Sequence, residues 1–446
     1  MIGYQQEQRS LTKEQKSAVG LLSIGTFLEY FDLMLYVHMA VLLNELFFPK
    51  SDPHTTALYS ATAFCATFVF RPVGAVIFGW LGDNIGRKTT VIITTFIMAL
   101  SCITMANLPT YAQIGITASW LITICRILQG ISSMGEVVGA QLYLTESINP
   151  PIQYPAVSSV AVFSTLGAVA ALGIASLVTS YGFNWRIAFW MGAGVALIGT
   201  AARRSLRETP EFADAKHQLK KTFEQPSNVG SIDLKKLENN PIWQERANKT
   251  TILALFLMEC MGPVCFYFTY IYCGNILQTS CGYSAEQVIH QNFIVSIFGF
   301  LGTLVLTYLS YRIYPLKIVK TLLLIFGVFV LLCPYLLNNI NSSFDVFLMQ
   351  LLVELCLPPG IAVAIYYKHF PVFKRFSCAS LTFAISRALM YVVTSFSVVY
   401  LTEYWHHWGI IIILLPVCIG FAFGLFHFEK LEKKVGNYPQ NPHVEV

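Results

Sequence analysis

Apolar residues run along this chain in blocks, and short polar loops separate them. Each block holds about 20 residues, enough for a helix to cross a ~30 Å hydrocarbon layer. The blocks are continuous rather than alternating, which predicts helices and not the strands of a barrel. Spans are predicted at 18–43, 57–81, 88–107, 115–146, 155–180, 186–202, 249–273, 286–311, 316–338, 344–367, 377–402 and 408–428. One long polar segment, 203–248, interrupts the series and leaves six spans on either side, within 1–202 and 249–446. Its KKTFEQ and IDLKKLEN stretches read as amphipathic helix in a solvated connector. The fold class is all-α integral membrane: twelve transmembrane helices in two six-helix bundles.

A weak internal repeat supports that division. The loop after span two reads LGDNIGRK at 81–88, and the loop after span eight reads LSYRIYPL at 309–316. Leu and Ile keep register, while Asp83, Gly86 and Arg87 are matched by Tyr311, Tyr314 and Pro315. Two pseudo-symmetric halves are an arrangement common among secondary transporters.

Composition agrees with a membrane protein. The chain is 55% hydrophobic and 12% charged, against about 25% charged in soluble domains. The opening MIGYQQEQRSLTKEQK is polar and mixed in charge, so no cleavable signal peptide is expected. Nearly all of the eleven cysteines fall inside apolar runs, which reads as packing rather than a disulfide framework or metal site. Cys273 and Cys281 flank one loop and are the candidate pair.

The net charge of +5 does not point to nucleic acid, because the basic residues occupy alternate loops. Both tails, the 203–248 segment and the loops after spans two, eight and ten carry Lys and Arg; the opposite loops hold only Lys50 and Arg186. The positive-inside rule then places both termini in the cytoplasm. The partners expected are a small-molecule substrate and membrane lipid, with a monomer as the default.

The intramembrane charges carry the chemistry. A charge at the centre of a span costs ~2.5–3.5 kcal/mol on insertion scales, so it faces a cavity or a partner. Span one has Glu29 and Asp32, span two Arg71, span four Arg126, Glu136 and Glu146, span seven Glu259, span ten Glu354 and span eleven Arg387. Glu29, Asp32 and Tyr36 share one helix face. Arg126, Gln129 and Ser133 repeat that spacing on span four, with Glu136 close by. Two polar stripes in one half imply a shared aqueous path. An acid beside an arginine is a proton site, because pairing holds the carboxylate ionised and protonation releases the arginine. Gly130, Gly135 and Gly139 on span four let helices approach closely and slide. No phosphate-loop spacing and no nucleophile–base set is visible, so neither an enzyme nor a cofactor is expected.

With these blocks in view the sequence resembles the major facilitator superfamily. GDNIGRK resembles the loop signature of that superfamily. Together with GTFLEYFDLMLY in span one, RILQGISSMGE in span four and RETPEF at 207–212, it resembles the metabolite:proton symporter branch, proline/betaine transporter-like. That branch holds transporters for proline and glycine betaine, α-ketoglutarate, citrate and shikimate in bacterial inner membranes. The resemblance implies a proton symporter of the inner membrane. It also implies that Gly82, Asp83, Gly86 and Arg87 form a latch at the cytoplasmic gate, with Glu146 and Arg207 as partners. Asp32 and Arg126 match the coupling pair of related sugar–proton symporters, and Glu136 matches the acid of the branch's GGE motif. Here Met134 replaces that motif's first Gly. The short tail EKLEKKVGNYPQNPHVEV lacks the coiled coil of osmosensing members.

Substrate class follows from charge. A zwitterion needs carboxylates or aromatic faces for its ammonium end, and Glu29, Glu136, Tyr30, Tyr36 and span seven, with Tyr270, supply these. A di- or tricarboxylate needs surplus arginines: Arg71, Arg126 and Arg387. Arg387 in the cavity argues for a carboxylate-bearing substrate, and Arg71 beside it shifts the expectation toward a dicarboxylate. The reading favoured is a proton-coupled importer of a zwitterionic osmolyte or amino acid. A carboxylate symporter is the alternative, and a non-transporting sensor the minor one.

Overall fold

The computed structural model describes residues 7–38, 43, 46–48, 68–181, 184–204, 208–209, 213–214, 245–356 and 360–439. The helices follow the hydropathy blocks. They are α1 (Lys13–His38), α2 (Arg71–Asn84), α3 (Arg87–Asn107), α4 (Ile116–Ser147), α5 (Gln153–Tyr181) and α6 (Arg186–Arg203). After the linker come α7 (Lys249–Thr279), α8 (Ala285–Arg312), α9 (Pro315–Asn338), α10 (Ser343–Cys356), α11 (Val372–Trp405) and α12 (Gly409–Val435). The start of span two and most of 203–248 lie outside the described residues.

The ends of these helices have local causes. Ser284 caps α8, accepting from the Gln287 amide while the Gln287 side chain accepts from the Ser284 amide. Pro315 opens α9, where its missing N–H costs nothing. Asn248 caps α7 through the Thr250 amide at 2.8 Å. Within α7, residues Tyr267–Tyr272 widen into a π-helix. The Gln350 side chain of α10 donates to the Thr269 carbonyl there, at 2.7 Å. Such bulges free backbone groups for side chains to meet.

Two sequence expectations are corrected. Span ten is not one helix: α10 stops at Cys356, and a separate short helix, Val363–Lys368, follows Gly360, whose φ is +65°. Gly360 turns the chain there, in a conformation that glycine adopts without strain. Cys273 and Cys281 are both free thiols, and Cys273 is buried in the interior of the second half.

The surface is inverted relative to a soluble protein. Leu324 is 71% exposed, and Trp80, Leu331, Phe396 and Ile419 are also turned outward. Ser, Thr, Gln and charged side chains lie inside. That arrangement suits a lipid surround, in which association rests on close packing rather than hydrophobic exclusion.

Glycines supply the close packing. A Cβ at Gly167 of α5 would strike the Phe27 carbonyl of α1, and one at Gly74 of α2 would strike the Ile131 backbone of α4. Contact between the first six helices and the second six runs mainly through two helix pairs. On α2, Gly79 lies against Ser377 of α11 and Gly82 against the Phe376 ring. Ser158 of α5 meets Thr307 of α8, hydroxyl to hydroxyl, at 2.7 Å. Gly167→Val should therefore overpack the α1–α5 seam and cost about 1–3 kcal/mol. A fall in the thermal unfolding midpoint of detergent-purified protein checks this; an unchanged midpoint would show that the seam yields.

Candidate functional site

A cavity of about 240 Å³ lies between the halves, next to one of about 180 Å³. Tyr30, Thr165, Gly262 and Arg387 line both, so the two form one path. The first extends toward Gly360 and Val363, and the second toward Phe68 and Tyr391.

Each arginine of the cavity is held by a glutamate. Arg71, at the start of α2, has Nη2 3.5 Å from Glu29 Oε1 of α1. Its guanidinium also lies 5.0 Å from the centre of the Phe68 ring. Arg387 of α11 donates to Glu259 Oε2 of α7 at 2.9 Å and sits 3.2 Å from the centre of the Phe383 ring. Pairing is what makes these charges tolerable in a low-dielectric interior. A third carboxylate, Glu354 of α10, lines the smaller cavity.

Aromatic rings form the rest of the wall. Phe68 and Tyr391 are 4.3 Å apart, centre to centre. Phe266 lies 6.0 Å from Tyr391 and 5.1 Å from Tyr270. Ring faces carry negative quadrupole potential and attract cations.

Of the site residues predicted from sequence, Tyr30, Arg71, Tyr270 and Arg387 line the cavity. Glu29 stands behind Arg71 and does not line it. Gln129 is buried on α4 and accepts from Arg126 Nη1 at 2.9 Å. Asp32, Tyr36 and Glu136 fall on α1 and α4, with their side chains outside the described structure. Sequence reasoning missed Phe68 and Tyr391, named Phe266 only within the aromatic stretch of span seven, and gave Glu259 and Glu354 no role. The two glutamates stood out as intramembrane charges, but their surroundings are set by packing.

A second polar site closes the end of the bundle that holds both described termini. Arg87 is its centre. It donates through Nε and Nη2 to Glu146 of α4, at 3.2 and 3.1 Å. It donates through Nη1 to Asp83 at 3.2 Å and also to the Gly82 carbonyl. Its Nη2 reaches the Val372 carbonyl of α11 at 2.8 Å. Asp83 in turn accepts from the Phe376 and Ser377 amides of α11, at 3.1 and 2.8 Å. Arg375 donates to Glu146 at 3.1 Å, and the Thr209 hydroxyl does so at 2.8 Å. The Glu208 carboxylate accepts from the Arg87 amide at 3.0 Å. Gly86 has φ +142°, and a Cβ there would collide with Glu208. Arg207 lies outside the described residues. Arg375, Thr209 and the α11 backbone are members that sequence reading did not assign.

The matching place in the second half is built differently. The Tyr314 hydroxyl donates to Glu432, and His369 Nε2 lies 2.8 Å from the other oxygen of that carboxylate. Tyr154 meets the Tyr314 ring edge-on at 6.1 Å. Aromatic contacts and one shared carboxylate stand where the first half has its arginine cluster.

The comparisons with known proteins agree with this geometry. Residues 22–367 match the model of the Major Facilitator Superfamily. The chain is 29% identical over 392 residues to the proline/betaine transporter of Salmonella typhimurium, covering 83% of this chain and 75% of that one. It is 36% identical over 234 residues to the inner membrane metabolite transport protein YhjE of Escherichia coli, covering 49% of this chain and 52% of the relative. The structure of the proton:xylose symporter XylE bound to 6-bromo-6-deoxy-D-glucose superposes with a TM-score of 0.72 at 14% identity, over 93% of this chain and 95% of that one. That likeness shows the fold. The chain belongs to the Major Facilitator Superfamily and is a multi-pass membrane transporter.

Proposed function

We propose that the protein imports a small zwitterion, an osmolyte or amino acid such as proline or glycine betaine, together with a proton, by alternating access. The observation that carries this is the charge state of the cavity. Arg71 and Arg387 both face it, which from sequence alone would favour a dicarboxylate. Both are already neutralised by Glu29 and Glu259. No surplus positive charge is left among the described cavity residues for a second carboxylate. A zwitterion suits the site: its carboxylate can share Arg387 with Glu259, and its ammonium end can lie on the Phe68–Tyr391–Phe266–Tyr270 wall. The names of the similar bacterial transporters support the same substrate class.

In this reading the chain sits as a monomer in the bacterial inner membrane, with its termini in the cytoplasm as the loop charges require. The Arg87 cluster is then the cytoplasmic latch. It holds α2 and α11 together while the cavity opens outward. Asp32, Arg126 and Glu136 carry the coupling in the first half.

Liposomes with an inside-alkaline gradient, offered radiolabelled proline, glycine betaine, α-ketoglutarate and citrate, test the substrate class. Zwitterion uptake abolished by a protonophore is expected; gradient-driven citrate or α-ketoglutarate uptake instead would overturn it. Asp32→Asn should lose proton-driven accumulation while keeping exchange. Full accumulation in that variant would remove Asp32 from the coupling.

For the latch, Glu146→Gln strips the carboxylate shared by Arg87 and Arg375. Breaking such a buried pair costs about 3–5 kcal/mol. The closed cytoplasmic end should open. A cysteine placed by Ser377→Cys, with Cys378→Ser, should then label faster with a membrane-impermeant thiol reagent in open membranes. Equal labelling rates would show that the cluster does not hold the gate.

A further inference from the structure

The cavity contains a carboxylate that the pairs above leave over. Arg71 with Glu29 and Arg387 with Glu259 are neutral units. Glu354 is half-buried, lines the same cavity, and has no ion-pair partner among the described residues. Its polar neighbour is the Tyr270 hydroxyl of the π-helical turn in α7. Its stem lies against α8 at Gly299, where any Cβ would strike the Glu354 side chain. The titratable and charged groups around it are Tyr270 and Cys265 of α7, Tyr30 of α1, Arg71 of α2, and Arg387 and Tyr391 of α11. Both arginines in that set are committed to other glutamates.

The consequence is a matter of charge count. With Glu354 ionised, the described cavity side chains sum to one negative charge. A zwitterion adds none, so the loaded cavity stays negative, and the substrate displaces the water that solvates Glu354 while the cavity is empty. A net charge in a closed, low-dielectric cavity is costly. One proton on Glu354 makes the loaded cavity neutral. Glu29 and Glu259 are held ionised by Arg71 and Arg387, and in the empty cavity a proton on either would leave its arginine without a carboxylate.

We propose that Glu354 holds the proton that travels with the substrate. The inference rests on the zwitterion-symport reading and adds a second-half carboxylate to the coupling set of Asp32, Arg126 and Glu136. The carboxylate takes one proton from the outer solution through the open cavity and becomes a neutral acid. It returns that proton to the cytoplasm after the substrate has left. Only an O–H bond forms and breaks, and no electron moves. Tyr270 serves both forms, since its hydroxyl donates to the carboxylate and accepts from the acid. It is a positioning residue.

The full-length protein in liposomes tests this with Glu354→Gln, a lasting mimic of the protonated form, and Glu354→Asp. Radiolabelled proline and glycine betaine are the probes. Glu354→Gln is expected to keep counterflow exchange and to lose all acceleration by an inside-alkaline gradient. Glu354→Asp should recover part of the gradient response. In detergent, substrate binding to the wild type should take up a proton from a weakly buffered, dye-reported solution, and Glu354→Gln should bind without that uptake. The binding measurement also covers a variant that folds but does not turn over. Gradient-driven accumulation at the wild-type level in Glu354→Gln would overturn the proposal. So would unchanged proton uptake on binding, or uptake driven by a sodium gradient in its place. A wild type that transports the zwitterions without any response to pH would overturn the assignment while leaving the substrate class standing. A wild type that transports neither zwitterion removes both.

Discussion

A charge inside a hydrocarbon layer has to be balanced by another within a few ångströms, and that constraint organises this protein. An unpaired charge at a span centre costs ~2.5–3.5 kcal/mol on insertion scales. The chain nevertheless carries several. Its solution is to place Arg71, Arg387, Arg87 and Arg375 against carboxylates of other helices. Arg71 meets Glu29 across α2 and α1, Arg387 meets Glu259 across α11 and α7, and Arg87 with Arg375 shares Glu146 across α3, α11 and α4. Such pairs add little to stability compared with apolar packing. What they give is a small number of arrangements in which every charge is satisfied. A transporter needs such discrete states.

Two helices join the latch to the cavity. Helix α2 carries Arg71 near the aromatic wall and Gly82 and Asp83 at its other end. Helix α11 carries Arg387 and Tyr391 in the cavity, and at its start the Phe376 and Ser377 amides that Asp83 holds. The glycine face of α2 brings the two backbones close enough for those amides to be reached. In the proposed cycle, a substrate carboxylate that shares Arg387 with Glu259 acts on the same rigid element that the latch grips. Site occupancy and gate strength then bear on one helix pair.

Much of the fold was legible in the sequence, because lipid imposes one rule on every span. Continuous apolar length marked the helices, and their observed ends fall close to the predicted ones. The broken tenth span shows where that rule stops: hydropathy continues past Gly360, and the helix turns there before Val363–Lys368. The latch was half legible. The GDNIGRK loop and Glu146 were readable as a set, whereas Arg375 joins them from 229 positions away and no local pattern announces it. The cavity was less so. Glu259 and Arg387 were each conspicuous as intramembrane charges, yet their pairing across 128 positions has no local signature.

The central claim is that a substrate with no net charge enters with one proton, so each transport event moves one positive charge inward. Current recording from proteoliposomes on a solid-supported membrane, in sodium-free buffer, tests that directly. Addition of proline or glycine betaine is expected to evoke a sustained current with positive charge moving inward, larger as the outer solution is made more acidic. Radiolabelled zwitterion uptake with no accompanying current would contradict the account.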